Sequence, residues 1–153
     1  MSKKEVIELL QRRGVAVDDI TLIVYDLQKP YHEQLTMEQC EESVLTVLGK
    51  REVQYTLYTG IALDELAERG LLPSPLQQVM EVDEPLYGAD ETLALGITNM
   101  YGMRGLTSFG YLDKVKHGVI KRLNDRSTGE IHVFLDDLVA GIAAAASARL
   151  AHN

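Results

Sequence analysis

The sequence predicts an all-α chain folded as a single-domain multihelical bundle. Three observations carry that expectation. Apolar residues recur three and four positions apart along most of the chain, capping signatures and glycine stops punctuate it at helix-length intervals, and no segment that alternates like a strand has a visible partner. The last helix contains Gly141-Ile142-Ala143-Ala144-Ala145-Ala146, and small side chains let neighbouring helices approach closely, so this helix is expected at the centre. One domain over residues 1–153 is expected, with a helical N-terminal half at 1–86, a second portion at 87–150, and about seven helices in all.

Taken in order, Ser2-Lys3-Lys4-Glu5 fits a capping box ahead of Val6, Ile7, Leu9 and Leu10, with Gly14 as a stop. Asp18 is positioned to cap a second helix carrying Ile20, Ile23, Val24 and Leu27, which Pro30 interrupts or ends. Thr36-Met37-Glu38-Gln39 is another capping box, and Gly49 closes the helix it opens. Residues 51–69 are ambiguous: Val53, Tyr55 and Leu57 alternate, yet Val53, Leu57, Ile61, Asp64 and Ala67 fit one helical face. Flanking helices favour the helix, which Gly70 ends. Ser74 and Pro75 start a short helix, and the acidic run from Glu81 to Pro85 reads as a loop. A helix from the region of Leu86 to Asp90 carries Leu93, Ile97, Met100 and Tyr101 up to Gly102. After a break at Arg104-Gly105 comes a segment whose stripe is Phe109, Leu112, Val119, Ile120 and Leu123. The last helix spans about Ile131 to Leu150.

At 46% hydrophobic and 25% charged residues the composition is that of an ordinary soluble globular protein. No apolar run approaches the roughly 18 residues of a membrane span, and the N-terminus lacks the apolar core of a signal peptide. A single cysteine, Cys40, excludes an internal disulfide and suits the cytoplasm, as a packed or surface thiol. The net charge of −8 is uneven: residues 1–103 sum to −10, and residues 104–126 sum to +4. A basic segment in an acidic chain suits a phosphate-bearing ligand, or else a solvated helix face that pairs with the acidic half. The overall acidity argues against nucleic-acid binding, whose affinity comes largely from phosphate neutralisation.

Chemistry concentrates in the last two apolar segments. Asp136 and Asp137 sit between Val133-Phe134-Leu135 and Leu138-Val139-Ala140, so at least one of them is expected to point inward. Asp113 and Lys116 fall on the apolar stripe of the preceding segment. A buried carboxylate must be protonated, paired or bound to a metal. Two charges about 4 Å apart repel by roughly 4 kcal/mol at an effective dielectric near 20, which a divalent cation with oxygen ligands removes. The plainer alternative is that one Asp faces solvent while the other pairs with Lys116 or Arg126.

Leu112-Asp113-Lys114-Val115-Lys116-His117-Gly118-Val119-Ile120, then Asp125-Arg126, then Asp136-Asp137-Leu138-Val139-Ala140-Gly141, resembles the C-terminal signature of the phosphatidylglycerophosphatase A family. That pattern runs L-D-x-x-K-P-x-x-I, D-R, and a D-D-x-x-A-G helix. Ala89-Asp90-Glu91 resembles the family's D-E pair at the start of a preceding helix, and the match spans roughly Tyr87 to Leu150. His117 stands where the pattern has proline. The glycine- and proline-rich N-terminal motif of the integral-membrane members is not found, so the chain is most similar to the soluble, Bacillus-type branch, in which a hydrophilic helical half replaces it.

The resemblance implies a metal-dependent phosphatase whose substrate is phosphatidylglycerophosphate. Asp90, Glu91, Asp113, Asp136 and Asp137 are the candidate metal ligands, and hard oxygen donors of this kind suit Mg²⁺. Asp113, Asp136 and Asp137 are the candidate catalytic carboxylates, and Lys116 and Arg126 the candidate phosphate-binding residues. His117 and His132 read as surface or packing histidines. The expected partner is an anionic phosphate-bearing lipid met in transient contact at the inner face of a membrane, and homo-oligomerisation is left open. Two other classes also stay open: an all-α nucleotide pyrophosphohydrolase, and a non-enzymatic helical oligomeric or regulatory protein whose acidic cluster is structural.

Overall fold

The computed structural model describes residues 2–82, 88–115, 118–123 and 129–151, the side chains at 103, 104, 106 and 113–115 excepted. Among these the chain is all-α, with nine α-helices and no strand. In order they are α1 (Lys3–Arg12), α2 (Val17–Gln28), α3 (Met37–Leu48), α4 (Arg51–Glu68), α5 (Leu76–Val82), α6 (Ala89–Thr98), α7 (Gly102–Val115), α8 (Val119–Leu123) and α9 (Val133–Ala151). Single 3₁₀ turns follow α2 and α6, at Lys29–Tyr31 and Asn99–Tyr101.

Helix starts follow the local chemistry. Both capping boxes form, Ser2 with Glu5 and Thr36 with Gln39. The second helix starts one residue ahead of the expected cap: Ala16 occupies the cap position, and its amide donates to Asp19 Oδ2. Residues 51–69 resolve as the helix α4, and Gly70 beyond its end takes the left-handed conformation, φ +69°, that favours glycine. Pro75 precedes α5 instead of opening it.

The expected boundaries fail between 102 and 123. Gly105 does not break a helix. It lies inside α7, where an added Cβ would sit 2.8 Å from the Thr98 carbonyl oxygen, so glycine there serves close packing of α7 on the end of α6. The stripe from Phe109 to Leu123 belongs to two helices. Gly118, with φ +59°, marks the break between α7 and α8, and Leu112, Val119, Ile120 and Leu123 are buried on both sides of it.

Among the described residues, six helices pack on α9. Every residue from Val133 to Ala148 is buried, and α2, α3, α4, α6, α7 and α8 all contact this helix. Its alanines permit the crowding: Ser43 of α3 reaches the Ala146 carbonyl with a buried 2.8 Å hydrogen bond. α4 comes equally close, since a Cβ on Gly60 would lie 2.4 Å from Leu138 Cδ1 and 3.1 Å from Phe134 Cβ. α1 covers α3 and α4, and α5 folds back on α4, where Gln77 caps the Ala67 carbonyl. No helix of the described residues is long and apolar enough to cross a membrane.

Gly60→Val should lower stability by about 1–3 kcal/mol, the usual cost of overfilling a packed interior. Gly96→Ala, on an open stretch of α6 with nothing near the added carbon, should raise it by about 0.5–1 kcal/mol. Urea unfolding of both variants checks the pair, and equal effects would contradict the α4–α9 contact.

Candidate metal centre

α6 and α9 meet where neither carries bulk. A Cβ on Gly141 would lie 3.2 Å from the Ala94 carbonyl oxygen and 3.5 Å from the Ala94 side chain. Asp90 is one turn before Ala94, and Asp137 one turn before Gly141, so the same close approach brings carboxylates of two helices together. Oxygens of Asp90, Asp136 and Asp137 all lie within 4.8 Å of one another. Asp136 and Asp137 are only 6% and 4% exposed, and Asp90 is half-buried. The Asp137 amide donates to Asp136 Oδ1 at 2.8 Å, and the Glu91 amide to Asp90 Oδ1 at 3.0 Å. Asp90 and Asp136 lie in the first turns of α6 and α9, where the helix dipole favours negative charge.

Dipoles do not remove the mutual repulsion. At this separation each ionised pair repels by ~3 kcal/mol at an effective dielectric near 20. The donors are all carboxylate oxygens, the set that hard divalent cations take. The residues present therefore fit a cation of the Mg²⁺ or Mn²⁺ class.

A second layer holds the start of α9 from behind. Asp64 of α4, wholly buried, accepts hydrogen bonds from the amides of Phe134 and Leu135, both at 3.0 Å. Burial pushes its carboxyl up, to about 7, and the charge of Asp136 adds to the rise; the two amides and Arg13 oppose it. Arg13, buried at the end of α1, donates both terminal nitrogens to Glu68 and one also to the Ile131 carbonyl. Glu68 in turn accepts from the Ile131 amide at 2.7 Å. Burial alone would raise the Glu68 carboxyl, but Arg13 and that amide outweigh it and hold it low. His132 is buried, with Nδ1 facing Arg13 at 3.4 Å and Nε2 facing Glu130 at 3.2 Å. Burial and the Arg13 charge lower its pKa, against the pull of Glu130 and Glu68.

The model of a family described as phosphatidylglycerophosphatase A matches residues 22–152. The chain belongs to the phosphatidylglycerophosphatase A family. It is 57% identical over 144 residues to YutG of Bacillus subtilis (strain 168), covering 94% of this chain and 87% of that protein. Among solved structures, a protein of unknown function from Bacillus stearothermophilus is 54% identical with TM-score 0.95, covering 98% of this chain and 93% of that one. The low temperature requirement C protein from Listeria monocytogenes is 49% identical, also with TM-score 0.95, covering 98% of this chain and 94% of that one.

Of the carboxylates singled out by the phosphatidylglycerophosphatase A motif, Asp90, Asp136 and Asp137 come together. Glu91 is exposed and outside that group. The side chain of Asp113, on α7, lies outside the described residues, as do Lys116 and Arg126. The plainer expectation, one Asp facing solvent, is not what is seen, because both Asp136 and Asp137 are buried. Asp64 was missed as a site residue, although its signal was present: it is a carboxylate on the apolar face Val53, Leu57, Ile61, Ala67. Arg13 gave no comparable signal, because its partners lie 55 or more residues away.

Asp64 generates a pH dependence. Its folded-state pKa is raised, so the folded state holds the proton more tightly, and its favourable contribution is fully present below the ordinary carboxylate value and is lost as pH rises through about 7. With chelator present, the stability of wild type relative to Asp64→Asn should fall as pH rises from about 4 to about 7 and then level off. Urea midpoints across pH measure this, and a constant difference would contradict it.

Proposed function

We propose that this protein is a divalent-cation-dependent phosphatase, with Mg²⁺ as the working ion and phosphatidylglycerophosphate as substrate. Membership of the family implies a phosphatase; the substrate follows the family's description, and the ion follows the donor set. The single observation that carries the reading is the group of three carboxylates within 4.8 Å, two of them buried on adjacent positions of one helix.

Asp90, Asp136 and Asp137 would hold the cation, with Asp113 as a further candidate. A bound divalent cation offers phosphoryl-oxygen polarisation and a more acidic bound water. The chain's own residues do the rest. A carboxylate oxygen of Asp136 or Asp137 not taken up by the ion accepts the proton of the attacking water and aims it at phosphorus. The P–O bond to the glycerol breaks, and its oxygen takes up a proton and leaves as the alcohol of phosphatidylglycerol, with inorganic phosphate as the other product. Lys116 and Arg126, from the basic stretch 104–126, bind and orient the phosphate oxygens and offset charge that builds on them. The N-terminal amides of α6 and α9 lend a field of the same sign. A net charge of −8 disfavours lasting residence on an anionic bilayer, so contact with the lipid surface would be transient.

Phosphate release from phosphatidylglycerophosphate, beside a panel of nucleotides and with or without Mg²⁺, tests the reading. Mg²⁺-dependent release from the lipid is expected. Cleavage of a nucleoside triphosphate with the lipid untouched would replace this function with that of a pyrophosphohydrolase. No release from any substrate, together with no rise in melting temperature at millimolar Mg²⁺ or Mn²⁺, would favour a non-enzymatic helical protein.

Asp136→Asn and Asp137→Asn should each cut hydrolysis by more than the roughly 10–100-fold that loss of an outer partner of a metal site costs. The metal-induced rise in melting temperature should vanish in both. Without metal, both should be at least as stable as wild type, since a like charge is removed. Thermal melts with EDTA and with Mg²⁺ measure this, and unfolding of both variants would make the carboxylates structural.

A further inference from the structure

We propose that Asp64 is a positioning residue: by gripping two successive amides of α9 it sets the rotation of that helix, and hence where Asp136 and Asp137 point. The inference rests on the reading of Asp90, Asp136 and Asp137 as a cation site.

The argument starts from what the start of a helix needs. Its first amides lack partners within the helix, and a hydroxyl or amide side chain at the cap position normally satisfies one of them without burying a charge. α9 instead uses a carboxylate from another helix, with no solvent exposure, one oxygen on Phe134 N and the other on Leu135 N. A single acceptor leaves a helix able to swivel about one hydrogen bond; two acceptors on consecutive residues fix its rotation. The lever matters, because carboxylate oxygens lie about 5–6 Å from the helix axis, so a turn of about 10° moves them by ~1 Å. A working site tolerates about 0.5 Å.

α4 supplies a second fixed point one turn away. Gly60 lets α4 press on Phe134 and Leu138, so both the slide and the rotation of α9 are set from the same helix. Asp90 arrives independently on α6. The relative placement of the three carboxylates then depends on α9 holding its orientation, and Asp64 fastens its first turn by hydrogen bonds. Placing that charge near Asp136 is unfavourable for the isolated fold. The same charge adds to the attraction for a cation held beside Asp136.

The test uses Mn²⁺ as the probe and four full-length proteins: wild type, Asp64→Asn, Asp64→Ser and Asp136→Asn. Calorimetry gives Mn²⁺ affinity, the electron paramagnetic resonance spectrum of bound Mn²⁺ reports its ligand geometry, and amide exchange is followed at Phe134 and Leu135. The Asp64 variants should keep the wild-type circular dichroism, bind Mn²⁺ at least tenfold more weakly, give an altered Mn²⁺ spectrum at saturation, and exchange those two amides faster. A folded Asp64→Asn with wild-type affinity and spectrum overturns the positioning role while leaving the cation site intact. Wild type binding Mn²⁺ no more tightly than Asp136→Asn overturns the cation reading, and this role falls with it. If both Asp64 variants unfold, wild-type exchange decides: Mn²⁺ should slow the Phe134 and Leu135 amides, and an unchanged rate would overturn the proposal.

Discussion

A helix with no solvent face carries its charges and its unpaired amides into the interior with it. That constraint on α9 organises the rest of the molecule. Sixteen successive residues, Val133 to Ala148, are buried, so the amides at its start and the carboxylates of its first turns must be answered by protein groups or by a bound ion. Asp64 answers the amides. Arg13 and Glu68 fasten the segment just before them. The repulsion among Asp90, Asp136 and Asp137 is the part for which a doubly charged ion is the natural counterpart.

Close approach does the positioning. Three glycines sit where helices nearly touch: Gly60 against Phe134 and Leu138, Gly105 against Thr98, and Gly141 against Ala94. The separation of Asp90 from Asp137 is therefore fixed by backbone packing, not by extended, mobile side chains. Carboxylates are short, and a site built from them works only when the helices that carry them are already in place.

Much of this was readable from sequence where the cause is local. Capping boxes at Ser2 and Thr36, the helical reading of 51–69, the central place of the alanine-rich helix and the inward pull on Asp136 and Asp137 follow from spacing and side-chain chemistry over a few residues. The errors share a different cause. Gly105 looked like a break because glycine weakens helices, but Thr98 across the gap is what requires it. The stripe through Phe109 and Ile120 looked continuous because burial on both sides of Gly118 keeps an apolar pattern running across the joint. Asp64 and Arg13 depend on partners far along the chain, where no local pattern reaches.

The link from Arg13 to Ile131 bears on where this molecule can be shortened. The match to the family begins at residue 22, whereas Arg13 lies upstream of it, as the residue that caps the end of α1. A polypeptide trimmed to 22–152 would keep every acidic residue of the cluster. It would nevertheless leave Glu68 and the Ile131 carbonyl without their guanidinium donor, at the hinge from which the central helix departs. A working fragment therefore has to begin upstream of Arg13, because the matched segment alone omits the residue that braces the approach to the central helix.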